Sequence, residues 1–168
     1  REDVTLFMVM LTAFKSLLTT YTQQFDVVLG SPIAGRNHAD VETLIGFFVN
    51  VLVLRTDLSD DPTFRTLLAR VKECTLGAYA HQDVPADKLA ETLHLSRDLR
   101  RPLLPIAFVM QNVPFEAASL GDVTLSPLDP HTGTAKVDLT MFIRQTGQGL
   151  LAEIEYNTDL FDESLIAG

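Results

Sequence analysis

Residues Phe47-Phe48-Val49-Asn50-Val51-Leu52-Val53-Leu54 are apolar at every position but one. A strand with one face in water alternates between apolar and polar side chains, whereas an unbroken apolar run is the pattern of a strand covered on both faces. The run therefore predicts a central strand spanning Phe47 to Leu54. Asn50, its one strongly polar member, is expected to be a buried amide that must find hydrogen-bond partners. The plainer reading of Asn50 is a structural bond to a neighbouring loop.

The rest of the chain supplies the layers such a strand needs. Residues 4 to 21 read as a helix, with Phe7, Met10, Leu11, Phe14, Leu17, Leu18 and Tyr21 recurring at spacings of three and four. Phe25 to Leu29 reads as a short buried strand ending at Gly30, residues 30 to 40 as a loop, and residues 40 to 45 as a helical turn. Asp60-Asp61-Pro62 suits a helix entry, with Phe64, Leu67, Leu68, Val71, Leu76 and Tyr79 as its core face. Pro85 to Leu95 is a second, shorter helix. Pro105 to Asn112, Val123 to Leu125, Ala135 to Ile143 and Leu150 to Tyr156 read as strands, the last two forming a hairpin around Thr146-Gly147-Gln148-Gly149. This order gives an α/β fold, a two-layer sandwich of helices on a mixed β-sheet. The first residue, Arg1, and the helix start at Asp162 to Gly168 make both ends read as cut.

Charge and motifs narrow the function classes. The formal net charge is −9, and the densest basic cluster, Arg97, Arg100 and Arg101, has Asp98 inside it. That makes nucleic acid and acidic membrane surfaces poor partners. No apolar run has the length of a spanning helix. Cys74 is single, so no intrachain disulfide can form, and a reducing cytoplasm suits the chain. His38, His81, His94 and His131 lack ligand spacing, so no metal site is expected. There is no G-x-S-x-G elbow for a serine nucleophile. Gly30-Ser31-Pro32-Ile33-Ala34-Gly35-Arg36-Asn37 has the two-glycine spacing of a phosphate loop. However, Arg36 and Asn37 stand where lysine and Ser or Thr belong, and Pro32 removes a backbone donor. His81, Gln82 and Asp83 read most simply as polar residues capping a helix-to-helix corner.

Taken together, several of these blocks resemble those of the condensation domains of non-ribosomal peptide synthetases. Gly30 to Arg36 resembles G-S-P-I-A-G-R. Ile45 to Arg55 resembles I-G-x-F-V-N-T-L-x-L-R, with Val51 in place of threonine. His81 to Pro85 resembles the start of H-Q-D-x-P-F-E, with Ala86 and Asp87 departing from it. Arg97-Asp98-Leu99 followed by Pro102-Leu103 resembles R-D-x-S-R-N-P-L-F, one residue short. Phe108 to Asn112, Thr132 to Leu139 and Glu155 to Phe161 are also similar to the family.

The resemblance implies a chloramphenicol-acetyltransferase-like half-domain. Residues 1–168 would be the C-terminal subdomain, lacking the N-terminal subdomain and the last helix. It implies amide-bond formation between acyl or aminoacyl thioesters held on peptidyl carrier proteins, with the catalytic histidine in an H-H-x-x-x-D-G motif that this chain does not contain. No cofactor would bind directly, since phosphopantetheine arrives on the carriers. The partners implied are the N-terminal half, the carrier proteins and neighbouring synthetase domains. Arg36 would support catalysis through a salt bridge to the aspartate of the histidine motif. Without that partner it is expected to be mobile or turned to another acceptor. Ser31, Asn50, Gln111 and Asn112 would line the substrate path, and His81, Gln82 and Asp83 would be structural. The segment from Asn112 to Thr134 is the candidate for crossing onto the other lobe. The alternatives are a related acyltransferase or heterocyclisation domain, and a non-catalytic carrier-docking or scaffold lobe.

Overall fold

The computed structural model describes residues 2–37, 39–94, 103–111, 118–120, 123–125 and 133–167. Helix α1 (Leu6–Thr22) starts where the Thr5 hydroxyl accepts the Met8 N–H. It ends where Gln23, in the left-handed region at φ 56°, donates its N–H to the Thr19 carbonyl. Strand β1 (Asp26–Ile33), helix α2 (Ala39–Glu42), strand β2 (Asn50–Asp57), helix α3 (Phe64–Ala80) and helix α4 (Ala86–Thr92) follow. Then come β3 (Ile106–Gln111), β4 (Ala118–Leu120), β5 (Val123–Leu125), β6 (Leu139–Thr146), β7 (Gly149–Tyr156) and α5 (Glu163–Ala167).

Five strands form one mixed sheet in the order β2-β1-β3-β6-β7. The β1/β2 and β6/β7 pairs are antiparallel, and β1/β3 and β3/β6 are parallel. β4 and β5 pair separately. The β6/β7 turn leaves Gly147 and Gln148 between paired Thr146 and Gly149. The expected mixed-sheet sandwich is the one observed. Helices α1 and α3 lie on one face of the sheet, over a core built from Leu11, Phe14, Leu29, Leu54, Val71, Phe108 and Ile143. At its centre Phe108 is fully buried, with Phe7 edge-on at 5.3 Å and Phe14 stacked at 5.9 Å.

Three expectations need correction. First, Phe47 to Leu54 is not a central strand. β2 begins at Asn50 and forms an edge of the sheet, and Phe47 is 87% exposed. Its continuous apolarity has two separate causes. Residues 47–49 belong to the preceding loop, and within the strand Leu52 and Leu54 face the helices while Val51 and Val53 sit half-buried on the other face. An unbroken apolar run does not distinguish a central strand from an edge strand whose second face is partly covered. Helix α3 lies against β2.

Second, β1 does not stop at Leu29. It continues through Gly30, Ser31 and Pro32 to Ile33, with Pro32 opposite Val51 near the strand end, a position that tolerates the missing donor. A side chain at Gly30 would press on Val51 and Leu104 at about 3 Å, so glycine there marks a close approach rather than a turn.

Third, α3 begins at Phe64, capped by Thr63, whose hydroxyl accepts the Thr66 N–H at 3.2 Å, so Asp60-Asp61-Pro62 precede the helix rather than start it. Of its expected core face, Phe64, Leu76 and Tyr79 are exposed, and Leu67, Leu68 and Val71 form the contact.

One core residue of α1 has no apolar signature. Lys15 is fully buried, and its ammonium donates to the Leu54 carbonyl at 2.9 Å and to the Thr56 hydroxyl at 2.7 Å, both on β2. Burial pushes the amine down to about 8, partly offset by Cys74 and Asp26. Lys15 thus ties the helix layer to the edge strand with two bonds that a hydrophobic side chain could not make.

Candidate functional site

The parallel strands β1 and β3 end on the same side of the sheet, the place where open α/β sheets present crevices. A cavity of about 350 Å³ lies there, lined by Ser31, Pro32 and the 33–37 segment, by Phe7 and Tyr79 from the helices, and by Gln82 and Met110. Three residues expected from sequence to matter, Ser31, Arg36 and Gln82, therefore meet at one cavity although they lie up to fifty-one positions apart. Ser31 is buried. Phe7 and Tyr79 read in the sequence only as helix-face residues, and nothing in their spacing marks them as cavity walls.

Arg36 does not dangle. Its Nη1 donates to the carbonyls of Val41, Glu42 (3.3 Å) and Leu44 (2.9 Å), and its Nη2 to Gly46 (3.3 Å). The guanidinium lies 4.6 Å over the Phe48 ring. Its acceptors among the described residues are carbonyl oxygens, not carboxylates. Gly35, at φ 64°, lets the backbone pass so close to Phe48 that a Cβ would overlap the Phe48 carbonyl oxygen.

Asn50 is half-buried, and its amide nitrogen donates to the Gln82 carbonyl at 2.7 Å and the Val84 carbonyl at 3.0 Å. Its Oδ1 accepts the Val51 N–H at 2.9 Å. The plainer reading of Asn50, a bond to a neighbouring loop, describes this geometry. It joins the start of β2 to the corner between α3 and α4, which packs beside that edge strand and shields it. In the same corner the His81 ring bonds through Nδ1 to the Gly77 carbonyl at 2.9 Å, which makes Nδ1 the protonated nitrogen. Asp83 accepts from the Asn37 amide at 3.5 Å. The loop after β1 and the corner after α3 are thus bonded to each other.

Gln111 lies apart from this cluster. It is exposed at the end of β3 and accepts from Arg144 Nε at 3.1 Å. Asn112, His38 and His131 lie outside the described residues, as does most of the 112–134 segment proposed to cross between lobes. A second, more apolar cavity of about 700 Å³ lies on the sheet face away from α1 and α3. Phe47, Val51, Leu104, Val109 and Phe142 line it, as do the charged Lys136 and Glu155.

A chain with this sheet and these motif positions can be compared with known proteins. One of the subunits of the linear gramicidin synthase of Brevibacillus parabrevis is 51% identical over 169 residues, covering 99% of this chain and 3% of that protein. Surfactin synthase subunit 1 of Bacillus subtilis (strain 168) is 42% identical over 165 residues, covering 98% of this chain and 5% of its own length. Among solved structures, the X-domain from teicoplanin biosynthesis superposes with a TM-score of 0.86 at 29% identity, over 99% of this chain and 39% of that one. A four-domain nonribosomal peptide synthetase bound to AMP and glycine shares the fold, with a TM-score of 0.87 at 24% identity, over 98% of this chain and 14% of that one. This chain therefore spans only a small part of the synthetases it matches. The family model described as "Condensation domain" matches residues 1–168, and the chain belongs to the condensation-domain family.

Proposed function

We propose that residues 1–168 are the C-terminal lobe of a peptide-synthetase condensation domain. In the complete enzyme this lobe walls the path along which two carrier-bound thioesters meet and form an amide bond. The observation that carries the reading is the family match over the whole chain. It is supported by the meeting of Ser31, Arg36 and Gln82 at one cavity. Amide formation from a thioester needs a group to take the amine's proton, donors for the tetrahedral oxyanion, and shelter from water. Among the residues around the cavity, Ser31, Asn37, Tyr79 and Gln82 are polar but none is an imidazole or a carboxylate, and Arg36 is a permanent cation. They suit binding and orientation of a pantetheine-linked substrate, not proton abstraction. The base belongs to the histidine motif of the other lobe.

Arg36 supports that motif from this side. Its Nη groups are occupied by carbonyls, and its Nε–H edge is the one offered to a carboxylate of the other lobe. Ser31 and Asn50 shape the substrate path, Gln111 and Asn112 extend it, and the 112–134 segment crosses to the other lobe. Phosphopantetheine enters on carrier proteins, neighbouring synthetase domains hold the lobe in place, and the enzyme works in the cytoplasm.

A second reading has its own support. A complex of the X-domain and OxyB from teicoplanin biosynthesis contains a relative 29% identical, with a TM-score of 0.82. A lobe of this kind can therefore serve docking rather than condensation. The test is amide formation from two loaded carrier proteins, run with the complete domain and with the 168-residue chain alone. We expect product from the complete domain and none above background from the chain. Turnover by the chain would overturn the division of labour, and an inactive complete domain that still binds a partner protein would favour docking.

A further inference from the structure

The segment joining α2 to β2 combines two features that rarely coexist. Ile45 is 105% exposed and Phe47 87%, the two most exposed large apolar side chains among the described residues, with Leu44 at 51% beside them. Yet the backbone that carries them is fixed. The Arg36 guanidinium binds the carbonyls of Val41, Glu42, Leu44 and Gly46 and lies on the Phe48 ring. Gly35 and Gly46 each bring backbone where a Cβ would strike Phe48. A loose loop could fold an isoleucine and a phenylalanine back onto its own chain. This one cannot, because the contacts that order it also hold those side chains outward. Exposed apolar side chains on ordered backbone mark a contact surface.

We infer that the Leu44–Phe47 protrusion is a docking contact between this lobe and the rest of its own domain, with Ile45 and Phe47 as pegs and Arg36 as the residue that positions them. The inference rests on the proposed reading of the chain as one lobe. The occupant follows from size and place. The chain covers 39% and 40% of two solved relatives of this fold, so roughly three-fifths of such a molecule lies outside it. Phe47 itself lines the larger apolar cavity on the sheet face away from α1 and α3, and Arg36, which holds the protrusion, lines the cavity at the ends of β1 and β3. The protrusion therefore adjoins surface that a second lobe would close. A partner seated there meets the pegs and the apolar cavity together.

Hydroxyl-radical footprinting of the unmodified complete domain tests this without any substitution. Each residue's oxidation rate is compared with its rate in the same protein unfolded in denaturant. Ile45 and Phe47 are expected to be protected about tenfold or more in the folded domain without any carrier protein, as buried interface side chains are. If both react at close to their unfolded rates, the contact does not exist. If protection arises only on adding a loaded carrier protein, the surface belongs to the carrier and the inference is overturned. Amide formation by the same preparation reports separately on the proposed function. An active domain with reactive pegs refutes the contact alone, and an inactive domain with protected pegs refutes the function alone.

Discussion

Replacing Asn50 with alanine removes two bonds from one amide nitrogen, to the Gln82 carbonyl at 2.7 Å and the Val84 carbonyl at 3.0 Å. It also removes the acceptor of the Val51 N–H. A hydrogen bond of this kind contributes about 0.5–1.5 kcal/mol net, and carbonyls left unpaired in a partly buried corner lose more than those that water reaches. The Gln82 bond is partly buried and the Val84 bond is at the surface, so the sum should fall at about 1–2 kcal/mol. With a urea m-value of about 2 kcal/mol/M, the middle of the usual range, the midpoint should drop by roughly 0.5–1 M. Asn50→Asp keeps the volume but cannot donate, and it sets a carboxylate against two carbonyl oxygens. It should cost at least as much as alanine. Limited proteolysis should then cut first at residues 81–84, the corner released from β2. An Asn50→Ala midpoint within error of the parent, or an Asn50→Asp protein as stable as the parent, would refute the argument that this amide holds the corner.

Gly35→Ala forces a residue with a side chain into the left-handed region and drives its Cβ into the Phe48 carbonyl. The backbone conformation alone costs about 1–2 kcal/mol, so thermal denaturation should show a loss of at least that size, and Gly147→Ala, which meets no neighbouring atom, serves as the control. Lys15 gives a pH dependence of known sign. In the folded chain its amine is pushed down to about 8 from the ordinary 10.5, so between these values the unfolded chain binds the proton more tightly. Stability from this group therefore rises with pH from about 8 to about 10.5 and is flat on either side, with a gain on the order of 3 kcal/mol. Chemical denaturation across that range should show the rise in the parent and not in Lys15→Met.

Much of the fold was legible because its elements carry local signals. The three-and-four spacing of α1, the two-residue turn of the β6/β7 hairpin and the apolar strands β1 and β3 need no tertiary context. What failed was every inference from one residue's chemistry to its place in the sheet. Gly30 read as a strand end because glycine usually punctuates, but its missing side chain serves the close approach of Val51 and Leu104. The run at 47–54 read as central because hydrophobicity does not report which strands are neighbours. Lys15 could not be found at all. It occupies a helix-face position that looks like a solvated lysine until β2 brings a carbonyl and a hydroxyl to it. For the site, the blocks at 30–37, 45–55 and 81–85 were visible one by one. That they join each other was not, because Arg36 and Asn50 bond to backbone carbonyls, which carry no sequence signature, and Asn37 and Asp83 meet from positions forty-six residues apart.

Those joins bear on what this chain can do. Arg36 commits its Nη donors to the 41–46 carbonyls, Asn50 commits its amide to the 82–84 corner, His81 commits Nδ1 to Gly77, and Asp83 accepts from Asn37. Arg36, Asn50, Asn37 and Asp83 therefore fix three loops to one another, and His81 closes the end of α3. A group that performs acid–base work has to change its protonation and partners during the reaction. A group that holds a wall has to do neither, and a site is most effective when its walls are locked by their own packing and hydrogen bonds before the substrate arrives. The polar residues of this chain have the second character. The polar residues that line the cavity, Ser31, Arg36, Asn37, Tyr79 and Gln82, are of the kind that can orient a substrate. On the proposed reading of this chain as one lobe, the proton transfer of condensation falls to the other lobe, and the fixed loops here give it a rigid surface to close upon.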